Sequence, residues 1–210
     1  LPWLPQKLWQ APPVAAASDP ADRREEALLS IVPRERGKPY DMRKLIGLIV
    51  DRASAFELQP SYGRAVITCL ARMQGHVVGI IANNPMVNGG AMDAKAARKQ
   101  ARFTEQCDTF HIPLVFLVDV PGSMVGSQAE QLGTLRDGMR AVYVAMQASV
   151  PMFTVVIRKC YGMAGMATCD KNQLDFKIAW PSAEWGSLPL EGGVAAAYRR
   201  ELAAARDAQR

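Results

Sequence analysis

The feature that most constrains this 210-residue chain is a unit that recurs through its middle: an apolar run, a glycine-containing or polar turn, then a helical pattern. The run at 76–82 leads through Asn83-Asn84-Pro85 and Gly89-Gly90 into a helix pattern from about Asp93 to Phe110. The run at 113–119 leads through Pro121-Gly122 into a helix pattern from about Gln128 to Ala148. The run at 152–157 leads through another glycine turn into a short helix over 164–168, and 176–180 reads as one more strand. Strands this apolar, with no polar alternation, need cover on both faces, and strands separated by helices are joined by parallel crossovers. The expected class is α/β. Ligands of such sheets collect at the carboxyl ends of the strands. Three of those ends carry polar or glycine-containing sequence, at 83–90, 119–126 and 158–165, and the site is expected where they meet.

The flanks organise around this core. Residues 1–40 hold Pro2, Pro5, Pro12, Pro13, Pro20, Pro33 and Pro39 with no sustained period, which predicts a linker or wrapping arm with a short helix near 21–29. The domain proper is expected over 41–210. Asp41 can cap a helix running from Met42 to about Arg52, and the runs at 64–73 and 76–82, joined at Gln74-Gly75, predict a hairpin. A helix pattern occupies 195–206, and a start at Leu1 rather than methionine suggests a piece of something longer.

Composition removes several classes of function. Cys69, Cys107, Cys160 and Cys169 form no C-x-x-C pair and have only His76 and His111 to join them, so no zinc site is expected. Free, buried thiols in a reducing compartment, the cytoplasm or a mitochondrial matrix, are the reading that remains. The longest charge-free stretch, 141–157, is interrupted by Pro151 and too short for a membrane span, so a soluble protein is expected. A net charge of +5 suits either an anionic partner or an ordinary basic surface, and no nucleic-acid motif accompanies it. Lys95, Arg98, Lys99 and Arg102 share one helix pattern, which suits phosphate contacts or a solvated face.

Among candidate motifs, Gly122-Ser123-Met124-Val125-Gly126 places its serine directly after the glycine, which breaks the G-x-S-x-G spacing of a nucleophile elbow. Neither nucleotide-phosphate glycine signature occurs. Asp119, at a strand end, suits an active-site polar group or a turn cap. The remaining feature is the run from Lys159 to Ala167, where a buried strand ends in a tight glycine turn and enters small, helix-compatible residues. Such a turn presents successive N–H groups without acceptors, an arrangement able to hold an oxyanion with no catalytic side chain.

Several runs then resemble one family in the correct order: Ile31-Val32-Pro33, Lys38-Pro39-Tyr40-Asp41-Met42, Ala101-Arg102-Phe103, Asp119-Val120-Pro121-Gly122, Arg158-Lys159-Cys160-Tyr161-Gly162 and Ala179-Trp180-Pro181-Ser182-Ala183-Glu184. The chain is similar to the C-terminal carboxyltransferase domain of biotin-dependent acyl-CoA carboxylases and related decarboxylases. The resemblance implies a crotonase-like ββα spiral, with the active site between the N domain of one subunit and the C domain of another. The N domain is absent from this chain. By position, the backbone amides of Met163 and Ala164 would form the hole for the ureido oxygen of biotin, with Gly162, Gly165, Met166, Asp119 and Gly122 around the substrates. Biotin would arrive as carboxybiotin on a biotin carboxylase or carrier partner, acyl-CoA would be the second substrate, and the parent would be a hexamer. Two departures stand out: relatives often read Gly-Gly-Ala where this chain has Gly162-Met163-Ala164, and often carry an aspartate where it has Met166. Without the N domain, a non-catalytic binding and assembly module is an alternative, as is a crotonase-type hydrolase or isomerase.

Overall fold

The hairpin seeds one sheet. In the computed structural model, which describes residues 2–17, 19–167, 176–188, 193, 195 and 197–207, β2 (Val66–Met73) and β3 (His76–Asn83) pair antiparallel from Val66↔Asn83 to Met73↔His76. Gln74 and Gly75 connect them with φ of 51° and 79°, the conformation whose twist suits a two-residue hairpin turn. Asp51 clamps that turn by accepting from the N–H groups of Gln74 (2.9 Å) and Gly75 (2.7 Å). The same duty pulls Asp51 out of the preceding helix. α1 (Met42–Ile49), capped by the Asp41 carboxylate, therefore ends short of the Arg52 expected from its apolar pattern.

β1 (Phe56–Leu58), too short to read in sequence, adds antiparallel to β2. On the other side β4 (Leu114–Val120) runs parallel to β3, and β5 (Met152–Tyr161) parallel to β4. Both β6 (Phe176–Ala179) and β7 (Glu184–Gly186) lie parallel to β5. The order is β1-β2-β3-β4-β5-β6, with β7 also on β5.

Both faces are covered, as the unbroken apolar runs require. Val66, Leu70, Ile81, Phe116 and Val118 face α2 (Ala94–Thr109) and α4 (Thr134–Gln147), whose alanines Ala97, Ala101, Ala141 and Ala145 allow close approach. Ile67, Cys69, Ile80, Val115 and Leu117 face the opposite layer, built from Tyr40, Met42, Leu45 and Ile46 of α1 and its lead-in. Each large side chain so buried is worth roughly 1.5–3 kcal/mol relative to exposure.

Three sequence expectations are corrected in detail. The helix expected over 128–148 is two helices, α3 (Ser127–Gln131) and α4, because Gly133 adopts a left-handed conformation (φ 77°) that ends the first. The helix expected near 21–29 is only a 3-10 turn at Glu26–Leu29. Arg23 is spent elsewhere, on Asp19 (2.5 Å) and on the carbonyls of Leu48 and Val50 that close α1. β5 does not stop at Ile157 but continues to Tyr161, for reasons that belong to the site. Thr168 and Cys169 lie outside the described residues, as does part of the 195–206 helix, of which Arg199–Asp207 is seen.

The proline-rich segment runs over the body. Trp3 stacks on Phe56 with ring centres 5.0 Å apart, and Arg72 donates to the carbonyls of Pro2 and Pro13, both at 2.7 Å. No described helix is long and apolar enough to cross a membrane.

Candidate functional site

Parallel pairing puts the carboxyl ends of β3, β4 and β5 at one edge of the sheet, and hydrogen bonds tie the three polar segments together. Asn83, closing β3, accepts from the Asp119 N–H at 3.1 Å. Met92, after the Gly89-Gly90 pair, donates to the Gly122 carbonyl at 3.0 Å and accepts from the Met124 N–H at 2.8 Å. The convergence expected from sequence is present.

The third segment is joined through a buried ion pair. Asp119 is 0% and Arg158 3% exposed. The guanidinium donates to the carboxylate through Nε at 3.1 Å and lies 3.0 Å away through Nη2. The second carboxylate oxygen accepts from the Lys159 N–H at 3.2 Å. These bonds coincide with a shift in register: Val118 pairs with Val156, but Val120 pairs with Cys160, so β5 carries two extra residues opposite Asp119. A bulge of this kind re-aims the chain beyond it, and here that chain is the turn at Tyr161. Arg158 also donates to the Lys38 carbonyl at 3.0 Å and sits 5.1 Å from the centre of the Tyr40 ring. Burial first, and then the Asp119 charge, push the Tyr40 phenol far above its ordinary value. The arm and the site thus share one cation.

Beyond the bulge the chain turns sharply. Tyr161 is still extended, and Gly162 takes φ 58°, a conformation that a side chain would strain. α5 (Gly162–Met166) starts there, two residues before the expected helix. The first N–H groups of a helix have no acceptor within it, and in α5 these include those of Met163 and Ala164, just past the end of β5. From behind, α5 is held by Gln100 of α2, 0% exposed, whose Nε2 donates to the Ala167 carbonyl at 3.0 Å. The Met163 side chain packs into α4: its Cε lies 2.6 Å from where a β-carbon on Gly138 would stand.

The structure therefore makes Gly162, Met163, Ala164, Gly165 and Met166 contiguous at the strand end, with Ala164 and Gly165 buried and Met166 exposed. Gly122 lies in the neighbouring loop, with φ 133° and its carbonyl occupied by Met92. Asp119 lies beneath, its carboxylate committed to Arg158 and Lys159. Sequence reasoning missed Arg158 and Gln100 as supports of the turn. A charged residue directly after an apolar run was read as the strand's end, and the contacts of both residues are long-range.

The turn suits the ureido group of biotin in two respects. At Gly162 a β-carbon would meet only the Ser187 carbonyl, at 3.5 Å, which leaves room beside the backbone for a planar group, and the bulk of Met163 is turned into the helix layer at Gly138. Among the described residues, no group of three His, Cys, Asp or Glu side chains is placed to hold a metal ion.

Comparison with known proteins bears on this geometry. The carboxyl transferase domain family matches residues 1–210. The chain is 38% identical over 201 residues to a propionyl-CoA carboxylase beta chain of Roseobacter denitrificans, covering 95% of this chain and 39% of that one. It is 37% identical over 200 residues to the alpha subunit of methylmalonyl-CoA decarboxylase of Veillonella parvula, with the same two coverages of 95% and 39%. A solved structure of transcarboxylase 12S, described as a hexamer with methylmalonyl-coenzyme A and methylmalonic acid bound, superposes with a TM-score of 0.90 at 38% identity. That likeness covers 97% of this chain and 39% of the other. The chain thus spans about two fifths of the length of the relatives it matches. The crotonase-like α/β architecture is the one found, and the chain belongs to the carboxyl transferase domain family of acyl-CoA carboxylase and decarboxylase subunits.

Proposed function

We propose that the protein carrying this chain moves a carboxyl group between carboxybiotin and an acyl-CoA, and that this chain supplies the biotin side of the site. The observation that carries the reading is the likeness over 97% of the chain to a transcarboxylase with methylmalonyl-coenzyme A bound. Carboxybiotin supplies the transferable carboxyl group. The N–H groups of Met163 and Ala164 donate to the ureido oxygen, where negative charge grows as the carboxyl group leaves. A preorganised donor of this kind is worth about 2.7–4 kcal/mol in the transition state. Gly162 admits the ring, and the Asp119–Arg158 pair holds the bulge that aims the turn.

Acyl-CoA would be held by surfaces outside this chain. In support, α4 turns Leu135, Met139, Tyr143 and Met146 outward in one exposed apolar stripe, opposite the face that packs on the sheet. An N domain of another subunit, in a homo-oligomer such as the hexamer described for transcarboxylase 12S, would cover such a stripe and complete the site. Biotin would reach it on a biotin carboxylase or carrier partner.

The test is decarboxylation of malonyl-CoA and methylmalonyl-CoA by the full-length protein with free biotin as acceptor. Biotin-dependent turnover of at least one acyl-CoA is expected. No turnover with either, in a properly folded protein, contradicts the reading.

A further inference from the structure

The cations of α2 remain unused by the carboxyl-transfer site. Arg98, Lys99 and Arg102 sit one turn apart or less on that helix, the two arginines exposed and Lys99 buried between them. They line a cavity of about 700 Å³ together with Tyr62, Glu105 and Arg140 of α4. Some of this charge is already balanced. Arg98 pairs with Asp137 at 2.7 Å, and Arg140 with Glu105 at 3.3 Å.

Two cations are not balanced. Lys99 is 2% exposed, and its ammonium donates to the carbonyls of Gln59 (3.0 Å) and Val66 (2.8 Å). An ammonium has three donors, and among the described residues no carboxylate lies within ion-pair distance of this one. Arg102 is exposed and makes no ion pair or hydrogen bond among the described residues. It shares with Lys99 not only this cavity but an adjoining one of about 310 Å³. Burying an unpaired ammonium beside a free guanidinium is unfavourable unless something else supplies the countercharge.

We propose that this cavity binds a phosphate dianion, with the Arg102 guanidinium and the Lys99 ammonium as its principal donors and Arg98 and Arg140 at its rim. A guanidinium fork matches two oxygens of a phosphate, and a buried ammonium adds a point charge, so together they match a charge of minus two. The phosphate can be free or carried by a nucleotide, and the site is independent of the carboxyl-transfer reading.

The experiment is titration calorimetry of the full-length protein with inorganic phosphate, pyrophosphate and adenosine 3′,5′-bisphosphate. Saturable binding with a dissociation constant of about 1 mM or tighter is expected for at least one of them. Tighter binding of the bisphosphate identifies a nucleotide-borne phosphate, and equal binding of inorganic phosphate identifies a free one. Arg102→Gln, a change at an exposed position, should weaken binding at least about tenfold, the loss of one charge-assisted hydrogen bond. Lys99→Met should weaken it similarly. Lys95→Gln removes the same charge from an exposed position on the same helix outside the cavity and should leave affinity within about twofold. No saturable binding of any probe overturns the proposal, as does equal weakening by Lys95→Gln and Arg102→Gln.

Discussion

At the scale of single residues, Asp119 shows how a polar group serves a site from beneath it. The strand-end position suited either an active-site group or a turn cap, and its bonds to Arg158 and the Lys159 N–H are those of a group that shapes the turn. Asp119→Asn keeps the shape but leaves the Arg158 charge buried without its partner. Breaking a buried pair this way costs about 3–5 kcal/mol. A fall of that size in unfolding free energy by urea titration is expected, with partial recovery in Asp119→Asn/Arg158→Met. A loss below about 1 kcal/mol would show that the pair is solvated and does not hold the bulge. Little of this network was legible in advance. The turn itself, Gly162 to Ala164, was in the sequence one of three glycine-containing strand ends, and it was the resemblance of the surrounding motifs that singled it out. Arg158 was not legible as its support, since its partners at 38, 40 and 119 lie far away in sequence.

Between elements, α5 meets α4 through the Met163 side chain. α4 offers Gly138 to receive that side chain. Gly138→Ala should favour α4 itself by up to about 1 kcal/mol, since alanine is the better helix former. It should nonetheless displace Met163 and with it the N–H groups of the turn. The expected outcome is unchanged or slightly higher stability with about tenfold lower kcat/KM for free biotin, roughly 1.4 kcal/mol of barrier, restored in Gly138→Ala/Met163→Gly. Unchanged kinetics in the single variant would mean the turn is insensitive to Met163. Element order and type were readable because the apolar runs are long and their period is clear. Boundaries shifted where a tertiary contact or a left-handed glycine intervened: Asp51 left α1 for the hairpin turn, and Gly133, at φ 77°, split one expected helix into α3 and α4. β1 and β7, three residues each, carry too few side chains to show a period.

For the whole molecule, buried titratable groups set an alkaline limit. Burial raises the Cys69 thiol from 9.0 to about 11 and the Cys107 thiol and Tyr40 phenol further still. These groups stay protonated in the folded state while the unfolded chain ionises, so the stability they contribute is complete below about pH 9 and is lost as pH rises above it. Lys99 acts in the opposite sense. Burial lowers it from 10.5 to about 8, so between those values the folded state binds fewer protons and folding is favoured as pH rises. Unfolding free energy measured by urea titration should therefore fall above about pH 9, and fall more steeply in Lys99→Met. A flat profile, or identical slopes in the two proteins, would contradict this assignment of the buried groups.

Carboxyl transfer through backbone donors is the central claim, and it is tested most directly by removing one donor without changing a side-chain function. Ala164→Pro deletes the N–H at a position in the first turn of α5, where proline's fixed φ is tolerated. Ala164→Gly keeps that N–H. Biotin-dependent decarboxylation of methylmalonyl-CoA by the full-length protein should drop by about 100-fold or more in the proline variant, the usual effect of losing one oxyanion donor, and persist in the glycine variant. Full activity of Ala164→Pro would contradict the placement of the site at this turn.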